Sequence, residues 1–234
     1  PKMSPTPPET PTRIGILLFP GFQLLDVTGP LDILSTHAAT TPLHLSLLSS
    51  SLTPVSTSHH VHAEAGSAFG ASLVPTRTFD SAPDDLEVLI VPGGIGCRKP
   101  ENVHAVIEFI RKYYAAHNAA QGKGELKWVL SVCTGSDILA QAGVLEGRRA
   151  TTNKRRFGWV KERNPGVNWV AKARWVADGD VWTSSGISAG MDLTLAWIAE
   201  VWGEETAEFL ADATEYERNR EPGNDRFAER WGAV

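Results

Sequence analysis

Cysteine is scarce in this chain of 234 residues: there are only two, Cys97 and Cys133, too few for the disulfide framework of a small secreted scaffold. Long apolar runs are absent as well. No stretch approaches the roughly 18 apolar residues that a membrane-spanning helix needs, so no membrane partner is expected. Basic charge is in deficit: Lys and Arg total 22 against 27 Asp and Glu, for a formal net charge of −5, and the basic triplet Lys154-Arg155-Arg156 stands alone. Without a basic stripe to track a phosphate backbone, no nucleic-acid partner is expected. No charged-then-apolar leader opens the sequence, which with the cysteine usage makes a reducing, cytoplasmic location the expectation. His59, His60 and His62 show neither HExxH nor Cys/His spacing, so they predict no metal site and read as exposed hairpin residues. No repeat of roughly 20 to 50 residues is visible, which excludes solenoids and propellers.

What is present is an ordinary globular composition, 42% hydrophobic and 21% charged, in a length that suits one large α/β domain. Pro1, Pro5, Pro7, Pro8 and Pro11 mark residues 1–12 as a disordered tail. From residue 13 to 218, short apolar runs alternate with helical patterns, the signature of a doubly wound, mostly parallel sheet covered on both faces. Strands are predicted over 14–19, 43–48 and 86–91. A helix is predicted from Asp26 with Pro30 in its first turn, and another carries Val103, Val106, Ile107, Ile110 and Tyr114. Residues 53–78 read as hairpin strands at a sheet edge. Asp178-Gly179 marks a hairpin over 174–183, and a last helix over 204–218 leads into a polar C-terminal extension, 219–234.

The segment Trp128–Ala140 is the most informative. A buried strand breaks at Cys133 and turns at once into a helix, the elbow geometry that α/β hydrolases use to expose a nucleophile. The helix dipole at such a position is expected to lower the thiol pKa. In open parallel sheets, reactive groups collect at the carboxyl ends of the strands. Three segments qualify: Pro20–Asp26, Pro92–Cys97 and Cys133–Gly135. Gly93 and Gly94 can bring backbone N–H groups to a developing negative charge, or can simply permit a tight turn. Thr134 offers its backbone N–H to the thiol and a hydroxyl to substrate or to Asp26. Ser185 and Gly186 can supply wall or polar contacts. Cys97, three residues beyond Gly94, is a candidate redox partner that can pair transiently with Cys133.

Phe19–Pro30, Val91-Pro92-Gly93-Gly94 and Ser131–Gly135, followed by Arg149–Thr152, Arg174–Gly179, Ser185–Asp192 and Glu215-Tyr216, resemble the ThiJ/PfpI superfamily. Within it the resemblance is strongest to isonitrile (isocyanide) hydratases. It runs from about residue 13 to about residue 227. It implies a flavodoxin-like, glutamine-amidotransferase-like sandwich, a homodimer, and a cysteine nucleophile at the position of Cys133. It also implies a carboxylate beside the thiol, at the position of Asp26, where many superfamily members carry glutamate. Two departures stand out. Hydratases often carry histidine after the position of Thr152, where this chain has Asn153-Lys154. The histidine that protease-like and many glyoxalase-like members place directly after the cysteine is here Thr134.

A thiol can add to the terminal carbon of an isonitrile to give a thioimidate, and water then releases an N-substituted formamide. Each stage moves a proton, which one carboxyl group beside the sulfur can carry. Cys133, Asp26 and Thr134 are therefore the expected catalytic residues, acting on a small electrophilic substrate without metal or cofactor. The competing readings are a glyoxalase or deglycase acting on α-oxoaldehydes, a redox-sensing stress protein, and a ligand-sensing regulator. The last is not expected, since such regulators fuse this fold to a helix-turn-helix domain and the sequence ends soon after Glu215.

Overall fold

A computed structural model describes residues 10–119 and 126–233. In chain order its elements are β1 (Arg13–Leu17), α1 (Leu24–His37), β2 (His44–Ser49), β3 (Val55–Ser56), α2 (His60–Glu64), β4 (Ser72–Leu73), β5 (Arg77–Thr78), β6 (Val88–Val91), α3 (Pro100–Ala119), β7 (Trp128–Ser131), α4 (Gly135–Gln141), β8 (Arg149–Ala150), α5 (Phe157–Arg163), β9 (Asn168–Trp169), β10 (Trp175–Asp178), β11 (Val181–Ser184), α6 (Ala189–Trp202), α7 (Glu204–Ala213) and α8 (Phe227–Arg230). The runs in β1 and β6 are apolar without alternation, as strands covered on both faces must be, and Ile16, Leu17, Val88, Leu89 and Val91 are fully buried. Both lie inside a seven-stranded sheet of order β10-β11-β7-β6-β1-β2-β5. Its pairings are parallel except β10 with β11, the hairpin foreseen at Asp178-Gly179.

The chain steps from β1 to β2 in one direction along the sheet and from β6 to β7 in the other. Right-handed crossovers then place α1 and α3 on opposite faces. α6 and α7 pack with α1, and α4 packs with α3. The reversal falls between β1 and β6, the topological switch point at which open α/β sheets bind ligands beyond their strand ends. The chain is thus a doubly wound, mostly parallel α/β protein. Among the described residues no helix is long and apolar enough to cross a membrane.

Several local expectations fail for identifiable reasons. α1 starts at Leu24, so Pro30 lies inside the helix rather than in its first turn. Gly29 beside it packs so closely on α6 that a Cβ would meet Met191 Cγ at 2.8 Å. In 53–78 only β5 joins the main sheet, parallel to β2, while β3 and β4 form a separate antiparallel pair. His59, His60 and His62 do not lie in hairpin strands: α2 starts at His60, and the His59 and His62 rings stack at 3.7 Å across its first turn. α7 ends at Ala213, short of residue 218, and Glu215 follows in the left-handed region (φ 50). Beyond it Asp225, Ala228 and Ala233 are buried, with the two alanines against Phe157, so the polar extension is anchored on the body at these residues. At the other end Thr12 donates its N–H to buried Glu87 at 2.8 Å, so the chain is already anchored at a residue assigned to the tail. Residues 1–9 of that tail lie outside the described residues.

Candidate active site

β7 ends at Ser131, and two residues later Cys133 takes φ 59, a conformation that costs an L residue free energy and persists only where surroundings enforce it. The enforcement is visible. Cys133 N–H donates to Ser185 O at 3.0 Å, and its carbonyl accepts from Ser136 Oγ at 3.2 Å and Thr152 Oγ1 at 3.1 Å. Gly135 opens α4 so close to β6 that a Cβ would fall 2.2 Å from Val91 O. The strand-to-helix elbow is therefore built as the sequence suggests.

Three donors face the Cys133 sulfur. Asn153 Nδ2 lies 3.1 Å away, and the backbone N–H groups of Thr134 and Ile187 also point to it. Ile187 adopts φ 51, strained for a β-branched side chain. The expected lowering of the thiol pKa is not found. Burial pushes it well above the ordinary thiol value, the charge of Asp26 adds to the rise, and the three donors offset only part of it. α4 has only seven residues, and the sulfur at its N-terminus is enclosed, so desolvation opposes the effect of the helix dipole.

Asp26 sits in the first turn of α1, completely buried. Its Oδ2 accepts the Gly93 N–H at 2.9 Å. Oδ1 has no hydrogen-bond partner among the described residues, and the carboxyl group as a whole interacts with the Cys133 thiol. Burial raises the Asp26 carboxyl to about 7, against the opposing pull of Gly93 and Cys133. Such a group changes protonation state near neutrality, which suits a proton carrier.

Residues 12–200 match the DJ-1/PfpI family. The chain belongs to the DJ-1/PfpI family. It is 37% identical to an isonitrile hydratase of Pseudomonas putida over 206 residues, 87% of this chain and 78% of that protein. Against a deglycase of Pyrococcus horikoshii the identity is 35% over 137 residues, 56% of this chain and 70% of the relative. Among solved structures, a ThiJ/PfpI family protein from Pseudomonas syringae superposes with a TM-score of 0.71 at 28% identity, covering 94% of this chain and 82% of the other.

Within this DJ-1/PfpI site the other foreseen residues take more limited roles. The Gly93 N–H is engaged by Asp26 and the Gly94 N–H by Thr134 Oγ1 at 3.1 Å, so neither is free to serve as an oxyanion donor. What these glycines supply is close approach: a Cβ on Gly93 would lie 2.5 Å from Thr134 N and Oγ1, and one on Gly94 2.5 Å from Gln23 N. The Thr134 hydroxyl accepts from the Gly94 N–H and from the Cys97 thiol at 3.3 Å and makes no hydrogen bond to Asp26, while its N–H faces the sulfur as expected. Cys97 is buried, burial holds its thiol up at about 11, and neither cysteine is in a disulfide. Ser185 contributes its carbonyl to Cys133. Gly186 leaves space for Asn153, whose Nδ2 a Cβ there would approach to 2.5 Å.

Asn153 and Ile187 were not foreseen as site residues. The available signal was position alone: Asn153 stands where the resemblance leads one to expect histidine. Beside the same loops opens a cavity of about 560 Å³, lined by Phe22, Gln23, Leu24, Ile95, His59 and Phe69 among others. Among the described residues no group of His, Cys, Asp and Glu could hold a metal ion.

Proposed function

We propose that this DJ-1/PfpI chain is a cysteine-dependent hydratase that adds water to an isonitrile through a thioimidate on Cys133, working as a cytoplasmic homodimer without metal or cofactor. The observation that carries the reading is the burial of Asp26 against the Cys133 thiol, with its carboxyl raised to about 7. A thiol held above its ordinary pKa offers little standing thiolate, so the addition must be coupled to proton transfer. The S–H bond breaks as sulfur bonds to the terminal isonitrile carbon, and the proton passes through Asp26 to that carbon. The product is R–N=CH–S–Cys133. Water then adds to the same carbon while Asp26 relays a proton to nitrogen. Cleavage of the C–S bond returns the hydroxyl proton to sulfur and releases R–NH–CHO. Asn153 and the Thr134 and Ile187 N–H groups stabilise negative charge on sulfur at both stages.

The likeness to a deglycase supports a second reading, thiol addition to an α-oxoaldehyde. A redox-sensing role is disfavoured, because oxidation favours an exposed thiol of low pKa and Cys133 is neither. The deciding experiment measures consumption of an alkyl isonitrile and of methylglyoxal by the wild type and Cys133→Ala. Isonitrile turnover that disappears in a folded Cys133→Ala protein supports the proposal. Turnover retained in that variant, or confined to methylglyoxal in the wild type, overturns it.

A further inference from the structure

Two loops frame the Cys133 sulfur, and both are tied to one stretch of chain outside residues 12–200, the part matched to the family. The first loop carries Thr152 and Asn153. The next residue, Lys154, turns inward with a side chain only 1% exposed. Its ammonium donates to Thr151 Oγ1 at 2.5 Å and to Thr152 O at 3.3 Å, and lies 3.8 Å from Asp225 Oδ2. Asp225 is equally buried. Its Oδ1 accepts the Phe227 N–H at 2.9 Å, and its Oδ2 has no hydrogen-bond partner among the described residues, leaving Lys154 as the charge that balances it.

The second loop, 185–188, is held from the same side. Ser185 N–H donates to Arg174 O at 2.8 Å, and Arg174 N–H in turn donates to Pro222 O at 2.6 Å. The Arg174 guanidinium donates to Ser188 Oγ at 3.1 Å and to Asp192 Oδ2 at 2.8 Å. Asp192 Oδ1 accepts from Tyr216 Oη at 3.0 Å and from Asn219 N–H at 2.8 Å.

We propose that residues 216–227 form a strap that tunes the nucleophile, with Asp225, acting through Lys154, as a positioning residue that holds Asn153 where its amide donates to Cys133 Sγ. A buried ion pair is weak evidence for stability, because the desolvation of both charges cancels much of their attraction. Its better-supported use is to fix one arrangement of the chain. Burial already draws the Lys154 ammonium down to about 8, against the pull of Asp225 and with the help of Arg174. Without Asp225, Lys154 becomes an isolated buried cation that must leave its site or lose its proton. In either case Thr151 and Thr152 lose the cation that bridges them, and Asn153 loses its fixed approach to sulfur.

The test reads the thiol itself and does not depend on hydratase activity. Alkylation of Cys133 by iodoacetamide is followed against pH in the full chain, with mass spectrometry separating Cys133 from Cys97. Asp225→Asn is expected to slow alkylation at pH 8 about tenfold, the effect of losing one hydrogen bond to a charged group, and to raise the apparent thiol pKa. In an Asn153→Ala background the same substitution is expected to change the rate less than about twofold, because the group through which it acts is gone. An unchanged rate in Asp225→Asn overturns the proposal, as does an equal loss in both backgrounds. Should Asp225→Asn fail to fold, K154M/D225N, which removes both buried charges together, is subject to the same two criteria.

Discussion

The side-chain amide of Asn153 donates to the Cys133 sulfur at 3.1 Å, across the gap that Gly186 leaves open. A bond to a sulfur that gains charge during addition is stronger in the transition state than before it, and so acts on kcat rather than on binding. Asn153→Ala is expected to lower kcat by roughly 10- to 100-fold, from the ~1.5–3 kcal/mol of a charged hydrogen bond, with KM little changed. Steady-state kinetics on an alkyl isonitrile check this, and a drop confined to KM would contradict the assignment.

Asp26 sets the pH dependence in two ways. As the group that accepts the thiol proton it must be ionised, so kcat/KM should rise with pH through about 7, and this limb should vanish in Asp26→Asn.

The same group affects stability with a definite sign. Its folded pKa is raised from 3.8 to about 7, so its favourable contribution is complete below the ordinary carboxylate range and is lost as pH rises through about 7. The loss is on the order of 4 kcal/mol at ~1.4 kcal/mol per pKa unit. Relative to wild type, Asp26→Asn should therefore gain stability between pH 5 and pH 8. Urea unfolding of both proteins at the two pH values measures the difference.

Glu87 should behave in the opposite sense. Burial alone would raise its pKa, but the Lys127 ammonium at 2.8 Å and the N–H groups of Thr12 and Arg13 outweigh burial and lower it. Its stabilisation is present above the ordinary carboxylate range and is lost as pH falls through the lowered value. Glu87→Gln should be less stable than wild type at pH 7, with the gap closing in acid. Thermal melts at pH 7 and pH 3 give the comparison.

Gly93→Ala tests close approach. A Cβ 2.5 Å from Thr134 N and Oγ1 must push the loop away from the elbow. The expected cost is about 1–3 kcal/mol, or roughly 3–10 °C in Tm, and Asp26 loses its Gly93 partner. A melt matching the wild type would show that the loop yields freely.

The elbow and the parallel sheet were readable in the sequence because each rests on local pattern, whereas the placing of Asp26 beside Cys133 came from the family resemblance alone. An apolar run that ends at a cysteine and enters a helix has few ways to fold. The sign of the thiol shift was misread for the complementary reason. A helix terminus is a local feature, whereas the enclosure of Cys133 is made by residues 153 and 185–187, from two other loops. Asn153 carried no local mark, since an amide after Thr-Thr acquires its meaning only when β8 and the loop after it are brought beside the elbow. Residues 219–234 read as a polar extension. Only the folded partner Lys154 explains why Asp225 is buried.

Residues 216–227 also bear on how this site can be transplanted. A chimaera that moves only residues 12–200 onto another scaffold carries Cys133, Asp26 and Asn153, yet leaves behind the carboxylate that neutralises Lys154 and the carbonyl that receives Arg174 N–H. On the strap proposal the smallest exchangeable unit of chemistry runs past residue 200, and engineering that trims the chain to residues 12–200 would inherit a nucleophile without the frame that aims it.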